Sequence, residues 1–132
     1  MLLDTNLLIH YIRRGHKLPA RLFLSVVVAG ELEAFALKSA WGPQKLQALQ
    51  GMRERFAVIE INEQLLPAYA RIDAYSQGKL LSQPLPPGLT ARNMGKNDLW
   101  IAATALYFDI ELHTTDNDFD HLRAIGLQLV KS

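Results

Sequence analysis

No cysteine occurs in the 132 residues. That excludes disulfides and thiolate-ligated metals, and it is expected of a chain that works in a reducing cytoplasm. Long apolar runs are missing too: stretches such as "LFLSVVVAG" fall well short of the ~20 residues a membrane helix requires. No basic segment followed by an apolar stretch and a small-residue cleavage site opens the chain, so neither export nor membrane association is expected. Strong charge of either sign is also absent. The net charge is +1 and the pI near 8.1, whereas dedicated nucleic-acid binders usually lie above ~9. Any case for nucleic acid must therefore come from a local site.

Several catalytic signatures are absent as well. There is no "GxxxxGK[ST]" or "GxGxxG" to cradle phosphates, and no "HExxH" to hold zinc. His10, His16, His113 and His121 show no i, i+4 pairing. His113 reads as a strand end and His121 as a surface helix residue. Ser25 lacks a nucleophile-elbow context, which argues against an acyl-enzyme.

What is present is an alternation of short strands and helices. "MLLD" reads as a buried strand ending at Asp4, and "TNLLIHYIRR" as a helix with Asn6 or Thr5 as N-cap. "RLFLS" is a strand, "VVVAGELEAFALKSA" a helix, and "GPQKLQALQGMRERF" a helix with Pro43 in its first turn. "AVIEI" is strand-like, and "NEQLLPAYARIDAYSQG" is a helix stopped by Gly78. The Pro- and Gly-rich "KLLSQPLPPGLTARNMGK" is a loop before the most apolar helix, "NDLWIAATALYFDI". "IELHT", "NDFDHLRAI" and "LQLVK" complete the chain as strand, short helix and strand. This order predicts one α/β domain over residues 1–132, with a parallel sheet of about five strands and helices on both faces.

In such a sheet, sites form beyond the carboxyl ends of the strands. Asp4 ends the first strand, Glu31 lies near the second turn of the helix after "RLFLS", Asp98 opens the apolar helix, and Asp116 follows "IELHT". Each has a bland explanation as a cap or turn residue. Glu31 is the hardest to dismiss, because an unpaired carboxylate among apolar neighbours is costly. Four acids at strand and helix ends weaken the bland reading jointly.

The segments "LLDTN", "SVVVAGELEAFAL", "GKNDLWIAATAL" and "TTDNDF" occur in the order seen in PIN-domain ribonucleases, and the chain most resembles the VapC-like toxins of bacterial toxin–antitoxin pairs. The resemblance runs from Met1 to the final strand. It places the family's metal-binding acids on Asp4, Glu31, Asp98 and Asp116, with Asp118 at a position used less regularly. Asn6 and Thr114 fall on polar positions that border the site and hold the acids or bound water. The resemblance implies Mg²⁺- or Mn²⁺-dependent hydrolysis of RNA to 5′-phosphate and 3′-hydroxyl ends. It also implies a cognate antitoxin and a homodimer. Oxygen-only ligands suit these hard cations. Lys96, Arg92 and Arg13 are candidate RNA contacts, and Trp41 is a candidate interface residue. The alternative function is a catalytically inactive PIN-like module that binds protein or nucleic acid.

Within "HTTDNDFDHL", Asp116 comes first after the strand and is assigned to the metal. With Thr115 as N-cap, Asp118 falls at N3 in a capping or supporting role. Asp120 is expected to face solvent.

Overall fold

The computed structural model describes residues 1–132. The first element is β1 (Leu2–Leu3), followed by α1 (Thr5–Arg14), β2 (Leu24–Ser25) and α2 (Val26–Lys38). Next come α3 (Pro43–Arg55), β3 (Val58–Ile59), a 3₁₀ turn (Glu63–Leu65) and α4 (Leu66–Ser76). The chain ends with α5 (Lys96–Phe108), β4 (Leu112–Thr114), a 3₁₀ segment (Asn117–Ile125) and β5 (Leu129–Lys131).

β4 lies between β1 and β5, and β2 pairs with β3, every pair being parallel. A parallel bridge from Leu2 to Phe23 joins the two groups, giving the order β3-β2-β1-β4-β5. Five short parallel strands thus appear as the sequence pattern predicts. Leu2, Leu3, Leu24 and Leu112 are all buried. Because successive strand residues point to opposite faces, burial of both Leu2 and Leu3 requires cover on both faces.

The helices provide that cover. α1 packs on α2 and α3, α4 packs on α5, and α2 meets α5. In α5 the run Ile101, Ala102, Ala103, Thr104, Ala105 is buried. A helix buried on consecutive positions is enclosed, and its small side chains allow close approach by its neighbours. One continuous cluster of buried apolar side chains links every helix with β1, β2, β4, β5 and the 3₁₀ segment.

The cap of α1 differs from expectation. Neither Thr5 nor Asn6 serves; Asp4 is the N-cap, its Oδ1 accepting from the Leu7 N–H at 3.0 Å. The strand runs directly into the helix, so the residue with extended backbone is the last one of the strand.

Two expected surface residues are interior. Trp41 is buried, with its ring edge-on to Phe35 at 5.8 Å. It is thus part of the core and not an interface. His121 is buried as well, and its Nε2 lies 2.7 Å from Ser76 Oγ. The 3₁₀ winding explains this. At three residues per turn, Phe119, Leu122 and Ile125 share one inward face. His121, beside Leu122, is carried in with them and stacks parallel to Tyr75.

Ser76 also ties down the loop between α4 and α5. Its carbonyl accepts from the Arg92 N–H at 2.8 Å, and its hydroxyl reaches Met94 Sδ at 3.3 Å. Gly78 turns the chain into this loop at φ +71°, where an added Cβ would also sit 3.4 Å from Leu85. Burial, with Arg92 nearby, holds the His121 pKa below its ordinary value. Its Nδ1 has no partner. Ser76→Ala would leave the other ring nitrogen without one, so unfolding in urea should show a loss of about 1–3 kcal/mol.

Candidate metal centre and active site

Asp4, at the end of β1, is 6% exposed, a costly place for a carboxylate. Besides capping α1, it accepts a hydrogen bond at Oδ2 from Thr114 Oγ1, at the end of β4. Thr114 Oγ1 in turn accepts from the Asp116 N–H at 2.9 Å. One threonine hydroxyl therefore sets the spacing between two of the acids. Burial raises the Asp4 pKa; the Thr114 and Leu7 hydrogen bonds oppose the rise, and Asp116 and Glu31 add to it.

Glu31 comes from the second turn of α2, where Ser25 as N-cap starts the helix directly from β2. It is half-buried, and Thr5 Oγ1 donates to its Oε1 at 2.7 Å. Asn6 lines the same cleft but makes no hydrogen bond to an acid. Thr5, between Asp4 and Asn6 in "LLDTN", is the residue that holds one. Its position one residue before Asn6 at the start of a helix was the available signal.

Asp98 stands in the first turn of α5. Gly95 is the N-cap there and no side chain caps the helix, so the capping explanation for Asp98 does not apply. Its pKa is pushed up to about 6, first by burial and then by Asp116, Glu31, Asp118 and Asp4. Lys96 is exposed and forms no ion pair.

The acidic turn departs from expectation in detail. Asp116, not Thr115, is the N-cap of the 3₁₀ segment, accepting from the Asp118 N–H at 2.9 Å. Asp118 therefore receives no capping role. Its carboxylate joins those of Asp98 and Asp116, with one oxygen from each lying within 4.8 Å of the others. Asp120 is exposed, as expected, and its Oδ1 also pairs with Lys131 Nζ at 2.9 Å.

Lys131, on β5, had no signal in the sequence beyond its charge. Its ammonium also donates to the Asp116 carbonyl at 2.7 Å and to Asn117 Oδ1 at 2.6 Å. With two hydrogen bonds and the Asp120 ion pair, it anchors the turn through backbone and neighbouring groups, not through the carboxylates of Asp116 and Asp118.

Asp4, Glu31, Asp98 and Asp116 line a cleft of about 770 Å³ together with Val26, Val27, Phe35, Ile61 and Trp100, and Asp118 lines a second depression that shares Asp98. Trp100 packs on Tyr69 at 4.3 Å, and Arg13 lies over Phe35 at 5.0 Å. Of the five acids only Asp118 has a basic partner, Arg92 at 3.9 Å. Asp4, Glu31, Asp98 and Asp116 have no ion pair at all. Uncompensated carboxylates with oxygen donors alone fit a hard divalent cation.

The PIN domain family matches residues 1–125 of this chain. The chain belongs to the PIN-domain family. It is 31% identical over 123 residues to Ribonuclease VapC1 of Haemophilus influenzae, covering 86% of this chain and 84% of that protein. The structure of VapBC-1 from nontypeable Haemophilus influenzae matches with a TM-score of 0.65 at 27% identity, over 98% of this chain and 96% of the other. VapBC-5 from Mycobacterium tuberculosis, a member of the VapBC family of toxin-antitoxin systems, matches in fold with a TM-score of 0.64 at 24% identity. That match spans 98% of this chain and 94% of that one.

Two outcomes follow from the site's electrostatics. A carboxyl whose pKa is raised on folding binds its proton more tightly in the folded state. The penalty for ionising Asp98 is therefore absent below its ordinary 3.8, grows as pH rises, and is complete above about 6. In EDTA, Asp98→Asn should melt with the parent near pH 4 and above it at pH 7.5. Melting curves at the two pH values check this, and an unfolded variant would mark Asp98 as chiefly structural.

The second concerns Lys131. For a divalent cation held by the acids of this turn, Lys131→Met should weaken binding in calorimetry by roughly tenfold, the usual consequence of losing a group that orients metal ligands. The circular dichroism spectrum should not change.

Proposed function

We propose that this PIN-domain chain is an endoribonuclease that holds Mg²⁺ or Mn²⁺ on Asp4, Glu31, Asp98 and Asp116, with Asp118 beside them. The observation that carries the reading is the convergence of these carboxylates at the carboxyl edge of a parallel sheet without a protein cation among the first four. The ribonuclease name of the Haemophilus influenzae relative supports the reaction type.

When bound, the cation supplies Lewis acidity that neutralises charge on the attacked phosphate and activates water. The protein's own part is positional. Thr114 fixes Asp4 against the turn that bears Asp116, and Thr5 fixes Glu31. Asp98 comes from a helix enclosed by the core, so its backbone has little freedom. Val26, Val27 and Ile61 give the cleft an apolar wall, which excludes water from one side of the substrate. Lys96, two residues before Asp98, and Arg92, beside Asp118, meet the RNA backbone, whereas Arg13 is held over the Phe35 ring.

The same reading makes the chain the toxin of a toxin–antitoxin pair, with a cognate antitoxin as partner. The support is structural kinship to VapBC assemblies. A homodimer and a cytoplasmic location complete the proposal. No helix is long and apolar enough to cross a membrane.

Purified protein should cleave RNA in Mg²⁺ or Mn²⁺ and stop in EDTA. Asp4→Asn and Asp116→Asn should each abolish cleavage while the far-UV circular dichroism is retained. Undiminished cleavage in EDTA would overturn the metal mechanism. Binding of RNA without cleavage in either metal would favour an inactive binding module.

A further inference from the structure

Resting on the nuclease reading above, we infer that the RNA strand leaves the carboxylates along one side only, with its flanking phosphates seated first on Arg92 and Asn93 and then on Lys79. Two surface depressions meet here. The inner one is lined by Asp98 and Asp118 together with Thr90, Arg92 and Asn93. The outer one is lined by Gln77, Lys79, Arg92 and Asn93, and contains no acid. Arg92 and Asn93 belong to both, so the surface is continuous from the acidic centre to a basic and polar shelf.

Arg92 has the properties of a phosphate-binding residue. Its backbone is pinned by the Ser76 carbonyl at 2.8 Å, and Ser76 is itself buried on His121. The arginine is therefore placed before any ligand arrives. Its guanidinium is only loosely engaged, with Nη1 at 3.5 Å from the Asp118 carbonyl and 3.9 Å from its carboxylate. Most of its five donors are free for a planar, bidentate phosphate contact. Lys79 donates its backbone N–H to the Ala74 carbonyl at 2.8 Å, while its exposed ammonium has no partner.

The change of sign along the surface sets the direction. Next to the acids, a phosphate is tolerable only where a cation or Arg92 offsets their charge. Beyond Arg92 no acid lines the shelf, and each further phosphate is attracted without that condition. Arg13, by contrast, is committed to the Phe35 ring on the other wall of the cleft.

The test is equilibrium binding of a single-stranded oligouridylate of 12 nucleotides, with Ca²⁺ replacing Mg²⁺ and intact RNA verified on gels, across a range of KCl concentrations. Cleavage in Mg²⁺ is measured in parallel. Removing one phosphate-binding charge should reduce the slope of log Kd against log salt by about 0.7 for a single strand. Arg92→Ala and Lys79→Ala should each show this reduction, and the double variant about twice as much. Arg92→Lys should keep the parent slope, which separates charge placement from a folding defect. Lys17→Ala, beyond the carboxyl end of α1, should leave the slope unchanged. Parent slopes in both alanine variants, with cleavage intact in the parent, would overturn the shelf and leave the nuclease reading standing. A parent protein that neither binds nor cleaves RNA would overturn that reading and the shelf with it.

Discussion

Repulsion among carboxylates gathered at one edge of a parallel sheet is the constraint on which the site depends. Burial first, and then the charges of Asp116, Glu31, Asp118 and Asp4, push the Asp98 pKa up to about 6, and Asp116 and Glu31 add to the rise that burial causes at Asp4. A fold that only needed stability would pair each with a lysine or arginine, or replace it. Here the groups that hold the acids are neutral: the Thr114 and Thr5 hydroxyls and the N–H groups of Leu7 and Asp118. Neutral donors fix direction without cancelling charge. The resulting negative potential stays available to a cation from solution, and binding of that cation is in turn coupled to stability.

The supporting structure gathers these acids from strand ends, Asp4 and Asp116, and from the early turns of helices, Glu31 in α2 and Asp98 in α5. Each of β1, β2 and β4 is only two or three residues long and passes almost at once into a helix or turn. Asp4 and Asp116 thus act as N-caps as well as acids, which places a carboxylate where exposed helix N–H groups stabilise it. Lys131 completes the arrangement from the neighbouring strand. By bonding the Asp116 carbonyl and Asn117 and pairing with Asp120, it holds the turn still without neutralising the Asp116 carboxylate.

A second buried polar group, His121 with Ser76, connects the site to the least regular part of the chain. The segment from Gln77 to Gly95 contains no helix or strand, yet Arg92 is fixed within it because Ser76 bonds both the loop and the imidazole. Such a buried contact is costly when half satisfied and specifying when complete. It also makes the position of Arg92 depend on the 3₁₀ segment that bears Asp118, so the basic and acidic sides of the cleft are set by the same packing.

Much of the fold and the acids were legible in the chain alone. Alternating strand and helix patterns determine five parallel strands, because a parallel sheet requires a crossover between strands and its ligand edge follows from that topology. Asp4, Glu31, Asp98 and Asp116 could be singled out because each sits where a strand passes into a helix or a helix begins. Tertiary structure decided what depends on neighbours distant in sequence. His121 and Trp41 look like surface residues in their local segments, and only packing against Ser76, Tyr75 and Phe35 makes them interior. Asp116 and not Thr115 is the cap because the 3₁₀ segment starts at Asn117, after Thr114 has fixed the Asp116 N–H from the end of β4. Lys131 and Asp118 acquired their surroundings only when β5 was laid beside β4 and α5 beside the acidic turn. Periodicity along a chain reports which face of an element is buried, but the partner of a polar group is fixed only when two separate elements meet.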